Sequence, residues 1–124
     1  MYRIVIHGHI PSKKNLLRRS ANGGLFRDAR VTKQINLLTL QAKAQWSGRE
    51  PLERPSARVL FFVSDQRSDL DNKWTTVLDC LTQAGVLRND NIAWGPRPVT
   101  YDWQKGEERV EIELEGGMQQ MRMG

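Results

Sequence analysis

The chain has 124 residues and a net charge of +5, with 19 Lys and Arg against 14 Asp and Glu. That length suits one domain with one modest core, and no apolar run approaches the ~20 residues that span a bilayer. The single cysteine, Cys80, excludes an intrachain disulfide, which with the lack of a signal-peptide pattern points to a cytoplasmic protein. The expected folded unit is 1–115, with 116–124 a flexible tail.

Tyr2 to Ile10 alternates apolar and polar residues and reads as a strand. His7 and His9 flank Gly8 there. No third ligand for zinc is evident nearby, so they are read as strand or DNA-facing residues. Pro11 to Phe26 reads as a long loop with a turn at Asn22-Gly23-Gly24. Residues 11–33 hold seven basic side chains against Asp28 alone, whereas 107–115 hold five glutamates against Arg109. The first region suits a polyanion and the second does not, which makes nucleic acid the leading partner. Lys13, Lys14, Asn15, Arg18 and Arg19 are the candidate phosphate contacts. Solvated loop charge is the other reading of the same residues.

Asp28 is positioned to cap a helix running to about Trp46, with Val31, Ile35, Leu38 and Ala42 as its apolar stripe and Ser47-Gly48 as its stop. Lys33, Gln34, Gln41 and Lys43 fall on its other faces, and the helix reads as scaffold. Glu50 to Ser56 is a proline-bearing connector. Ala57 to Ser64 is rich in β-branched and aromatic residues and reads as a central strand. A second helix is expected over about 72–84, with Trp74, Val77, Leu78, Leu81 and Ala84 on one face and Gly85 at its C-terminal cap. Residues 92–98 look irregular. Val99 to Trp103 reads as a short strand, Gln104-Lys105-Gly106 as a hairpin turn, and Arg109 to Glu115 as an alternating strand with Val110, Ile112 and Leu114 inward. The expected fold class is α/β (α+β-like): a mixed sheet with two main helices.

The chemistry concentrates in Arg67-Ser68-Asp69-Leu70-Asp71-Asn72-Lys73-Trp74 and its echo Arg88-Asn89-Asp90-Asn91. Asp69 and Asp71 stand at the mouth of the second helix, and Asp90 follows the turn after it. Three carboxylates supply the hard oxygens that Mg²⁺ prefers. The same residues also read as a cap (Asp71), a carboxylate eased by the helix dipole (Asp69) and an ordinary turn acid (Asp90). A basic loop in the same small chain favours the metal reading, because phosphodiester hydrolysis needs both a cation and a grip on the backbone. No P-loop, nucleotide-binding glycine fingerprint or zinc spacing is present.

Asp69-Leu70-Asp71-Asn72, a helix with Leu78-Asp79-Cys80-Leu81, then Gly85-Val86-Leu87 and Asn89-Asp90 together resemble the RusA family of Holliday-junction resolvases. Ile10-Pro11-Ser12-Lys13-Lys14-Asn15 is similar to that family's early P-P-S-x-N loop, and the resemblance covers roughly residues 4–114. It implies a RusA-like fold and a homodimeric hydrolase: an endonuclease of DNA recombination and repair, often phage- or prophage-encoded, that cuts four-way junctions. It also implies Mg²⁺, for which Mn²⁺ can substitute, held by Asp69, Asp71 and Asp90. Two positions depart from the family pattern. Asn89 replaces the first acid of a D-D pair, and Thr75 stands where a catalytic lysine is usual. Lys73 is the candidate replacement, although it lies about 200° around an ideal helix from Asp71; Arg67 is a further candidate for gripping phosphate. The alternatives are a branched-DNA-binding protein with little or no activity, and a nuclease for flaps or single strands.

Overall fold

The computed structural model describes residues 1–12, 17–19, 21, 23–64, 69–88, 96 and 98–116. In chain order the elements are β1 (Tyr2–His7), β2 (Leu17–Arg19), β3 (Leu25–Arg27), α1 (Ala29–Trp46), β4 (Ser56–Val63), α2 (Leu70–Gln83), β5 (Val99–Lys105) and β6 (Arg109–Glu115). Among the described residues they form an α+β fold: a mixed four-stranded sheet in the order β1-β6-β4-β5, a separate β2-β3 ribbon and two helices. No helix among the described residues is long and apolar enough to cross a membrane. The anticipated tail beyond Gly116 lies outside the described residues.

β4 is central, as its composition suggests. It pairs antiparallel with β6 and parallel with β5. Ala57, Val59, Phe61 and Val63 point into the core, where they meet Ile4 and Ile6 of β1, Val110, Ile112 and Leu114 of β6, and the helices. α1 contributes Ile35, Leu38, Ala42 and Trp46, which continues the expected stripe. α2 buries Lys73, Thr76, Val77, Cys80 and Leu81. Its buried face is therefore rotated from the expected one: Trp74 and Leu78 are only half-buried, and a lysine and a threonine take interior places.

Three expectations are corrected. The presumed loop over 11–26 contains the β2-β3 ribbon, whose pairs are Leu17↔Arg27, Arg18↔Phe26 and Arg19↔Leu25. Three-residue strands are too short to show a period of two. The Gln104-Lys105-Gly106 stretch is not a hairpin turn, because β5 runs parallel to β4 and β4 lies between β5 and β6. The connection instead arches over the end of β4, with the Gly106 amide donating to the Val63 carbonyl at 2.9 Å. Finally, α2 begins at Leu70 rather than near 72, because Asp69, not Asp71, is its N-cap.

The edge strand β1 is covered in an unusual way. Gln45 accepts from the Val5 amide at 2.9 Å and donates to the Val5 carbonyl at 2.7 Å. One turn earlier, Gln41 does the same for His7, at 2.8 Å each way. A primary amide carries one acceptor and a donor side by side, so each glutamine imitates one residue of a neighbouring strand. The outer edge of β1 is thereby closed to pairing with another chain. Gln41, assigned from sequence to a face without a task, has this one.

The other face of the sheet carries ion pairs. Arg3 Nη2 and Arg109 Nε donate to the two oxygens of Glu111, each at 2.9 Å, and Arg58 faces Glu113 at 3.6 Å. The Arg109 guanidinium also lies 3.6 Å from the centre of the Phe62 ring. The hydrogen bond from Arg109, with help from Arg3, holds the Glu111 carboxyl below its ordinary range.

Two outcomes are expected. Replacing both glutamines (Q41A/Q45A) removes four hydrogen bonds and should lower stability by about 1–3 kcal/mol, read by urea unfolding. It should also produce association in sedimentation runs beyond that of the native chain. For Glu111, a carboxyl whose folded pKa is depressed stabilises above its unfolded pKa, and that contribution is lost as pH falls through the folded value. The melting-temperature advantage of the native chain over E111Q should therefore be present at neutral pH and vanish in acid, below the ordinary glutamate range.

Candidate active site at the mouth of the second helix

The pairing registers bring several chain ends together. His7 of β1 and Phe62 of β4 both sit opposite Arg109, and Val63 sits opposite Lys105 of β5. The carboxyl ends of β1, β4 and β5 therefore share one end of the sheet. A parallel β4-β5 pair needs a crossover, and α2 is that crossover. Its N-cap, Asp69, stands six residues after the last residue of β4, with 65–68 outside the described residues. Active sites of open α/β sheets favour this end, where loops leave a rigid scaffold.

Asp69 and Asp71 are both exposed here. Asp69 has an extended backbone (φ −88°, ψ 101°), and its Oδ1 accepts from the Asn72 amide at 3.3 Å. The Asn72 side-chain amide donates to the other oxygen, Oδ2. The Asn of the D-L-D-N run thus orients the first Asp, as an outer-shell partner orients a metal-ligating carboxylate. Asp71 lies in the first turn, where unpaired backbone amides and the helix dipole favour negative charge. The Schellman pattern at the far end fixes the helix length: Val86 N to Leu81 O at 2.9 Å and Gly85 N to Thr82 O at 3.1 Å, with Gly85 at φ +82°.

Lys73 does not lie with the acids on the open surface. It is 6% exposed, and its ammonium donates to the Ile10 carbonyl at 2.7 Å. Burial draws its pKa below the ordinary lysine value, with Glu108 acting the other way. Thr76, one turn on, is fully buried and donates to the Pro11 carbonyl at 2.7 Å. Thr75, at the position where the resembled family has lysine, is exposed and donates to the Asp71 carbonyl at 3.1 Å.

The segment after β1 crosses this end. Gly8 (φ +119°) donates to the Glu108 carbonyl at 3.0 Å, and a Cβ there would stand 3.1 Å from Gln34 Nε2. His9 Nδ1 meets Glu108 Oε2 at 2.8 Å, and Gln34 donates to the His9 carbonyl at 2.9 Å. His9 is therefore engaged in a local hydrogen bond with Glu108. Arg88, after α2, pairs with Glu53 of the connector.

Asp90, Arg67, Lys13, Lys14 and Asn15 lie outside the described residues, and Arg18 and Arg19 are placed on β2 by their backbone alone. Among the described residues no three His, Cys, Asp or Glu side chains are grouped to hold a metal ion. Two exposed carboxylates, one oriented by Asn72, do suit a hard cation that keeps several waters. Sequence reasoning missed Thr76 and the interior place of Lys73. The available signal was helical spacing: Lys73, Thr76, Val77, Cys80 and Leu81 fall on one face at intervals of three and one.

The cap separates from the charge by substitution. D69N keeps an acceptor for the Asn72 amide and should hold stability within a few tenths of a kcal/mol, whereas D69A should lose about 1 kcal/mol in denaturant titrations.

No family model matches this chain. It is 28% identical over 109 residues to the crossover junction endodeoxyribonuclease RusA of Aquifex aeolicus (strain VF5), a match covering 82% of this chain and 81% of that protein.

Proposed function

We propose that this chain is a metal-dependent endonuclease for branched DNA that resolves four-way junctions in recombination or repair. The observation that carries the reading is the Asp69–Asp71 pair, exposed at the mouth of α2, with Asp69 oriented by Asn72. Its support is the similarity, over most of both chains, to a protein named as a crossover junction endodeoxyribonuclease.

In this reading Asp69, Asp71 and Asp90 would hold Mg²⁺, with Mn²⁺ as a substitute. The ion would polarise the phosphoryl oxygen and supply a water that ionises near neutral pH. The protein's own contribution is to place the carboxylates and aim one of them. The first turn of α2 lowers the free energy of negative charge there, and Asn72 fixes one carboxylate plane. Lys13, Lys14, Asn15, Arg18, Arg19 and Arg67 would grip the phosphates flanking the scissile bond. The open sheet face, with glutamates on β6, would turn away from DNA. A homodimer suits a four-way junction, whose two-fold symmetry an isologous pair would match.

A second reading has its own observation. Thr75 replaces the lysine usual in the resembled family, and the Lys73 ammonium is bonded to Ile10. A chain without a lysine at the phosphate would bind branched DNA and cut it weakly or not at all.

Cleavage of a labelled four-way junction beside a linear duplex of the same sequence, with and without Mg²⁺, separates these readings. Paired metal-dependent nicks in the junction alone are expected. D71N should lower the rate at least about 100-fold, as loss of a group stabilising transition-state charge does, with junction affinity kept. Binding without cutting would install the second reading, and preferred cutting of flaps or single strands would replace the junction as substrate.

A further inference from the structure

We propose that Lys73, with Thr76 beside it, is a positioning residue: it sets where the basic segment leaves the fold relative to the acid-bearing mouth of α2. The DNA part of this inference rests on the nuclease reading; the anchoring part does not.

Four observations converge on the strap formed by residues 8–11. The Lys73 ammonium and the Thr76 hydroxyl, one turn apart on α2, donate to two successive carbonyls, Ile10 and Pro11, at 2.7 Å each. Ile10 is 4% exposed and Pro11 is buried, so neither carbonyl belongs to a loop held by solvent. α1 holds the preceding carbonyl through Gln34. The β5–β6 connection holds Gly8 and His9 through Glu108.

The strap is thus tied to three elements, and the chain passes from it through Ser12 to Lys13 and Lys14. The two ties from α2 come from the same first turns that carry Asp69, Asp71 and Asn72. A lysine in the interior is unfavourable unless its charge is hydrogen-bonded. An apolar residue would fill the same volume without fixing the strap. What the lysine adds is a directional bond between the acid-bearing helix and the origin of the basic segment. Productive cleavage needs the backbone grip and the reacting centre in one fixed relation, and displacements near 1 Å are enough to slow such reactions strongly.

The test uses K73M, which keeps length and loses the donor, T76V, which keeps shape and loses the hydroxyl, and T76S, which restores it. Three quantities are read: amide hydrogen exchange in residues 8–16, junction affinity in EDTA, and single-turnover cleavage with Mg²⁺ at saturating protein. K73M should raise exchange in that segment about tenfold or more, with exchange in β4 and β6 unchanged, because a charge-assisted bond is lost locally. Junction affinity and cleavage rate should both fall. T76V should move all three in the same direction by less, and T76S should return them to native values.

Abolished cleavage in K73M, with native affinity, native exchange at 8–16 and a silent T76V, would overturn the proposal and make Lys73 a phosphate contact. A lowered melting temperature with all three readouts native would overturn it in favour of simple packing. If the native chain neither binds nor cuts a junction, the nuclease reading falls and takes the DNA part with it, while exchange at 8–16 still decides the anchoring.

Discussion

The parallel pairing of β4 and β5 is the constraint from which the rest of the molecule follows. Two adjacent parallel strands cannot be joined by a tight turn, so the chain must cross the sheet and return, and α2 is the return path. The N-terminus of that helix therefore faces the carboxyl end of the central strand, and Asp69 and Asp71 are delivered there by topology. The buried face of α2, built on Val77, Cys80 and Leu81, holds the helix against the sheet. A helix packed in this way presents its first turn as a fixed object. That rigidity is what a carboxylate pair needs if it is to serve as more than a cap.

The same end of the sheet gathers β1, whose exit strap is tied to α2, α1 and the β5–β6 connection. Polar side chains carry out much of this assembly. Gln41 and Gln45 close the edge of β1, Gln34 holds the strap, and Lys73 and Thr76 fasten it to α2. Each of these bonds contributes about 1 kcal/mol net, but an orphaned carbonyl in the interior would cost more than the bond contributes. Such networks specify geometry more than they add stability.

Much of this was legible in the sequence. The run of β-branched and aromatic residues at 57–63 announced a central strand, the alternation at 109–115 announced a half-buried one, and Asp28 with its apolar stripe announced α1. These signals are strong because burial imposes a period on the residues themselves. The partner strand of β5 was not legible: pairing with β4 rather than β6 is a long-range choice that leaves no mark on Val99–Lys105. The β2-β3 ribbon was too short to register. Thr76 and the interior place of Lys73 were not legible, because polar residues on an otherwise apolar face give no sign of burial until their hydrogen-bond partners, sixty-odd residues earlier, are in view. Of the carboxylate site, its position at a helix mouth was evident from Asp-x-Asp ahead of the helix. The exchange of capping role from Asp71 to Asp69 was not, since either acid satisfies the same rule.

The most direct test of the account is whether the mouth of α2 binds a divalent cation. Substoichiometric Mn²⁺ titrated into the ¹⁵N-labelled protein broadens amide resonances in proportion to their nearness to the ion, and needs no DNA. Selective loss of signals from residues 69–73 and from Asp90, abolished in D71N, is the expected result. Broadening centred on the glutamates of 107–115, or spread evenly over the surface, would contradict it.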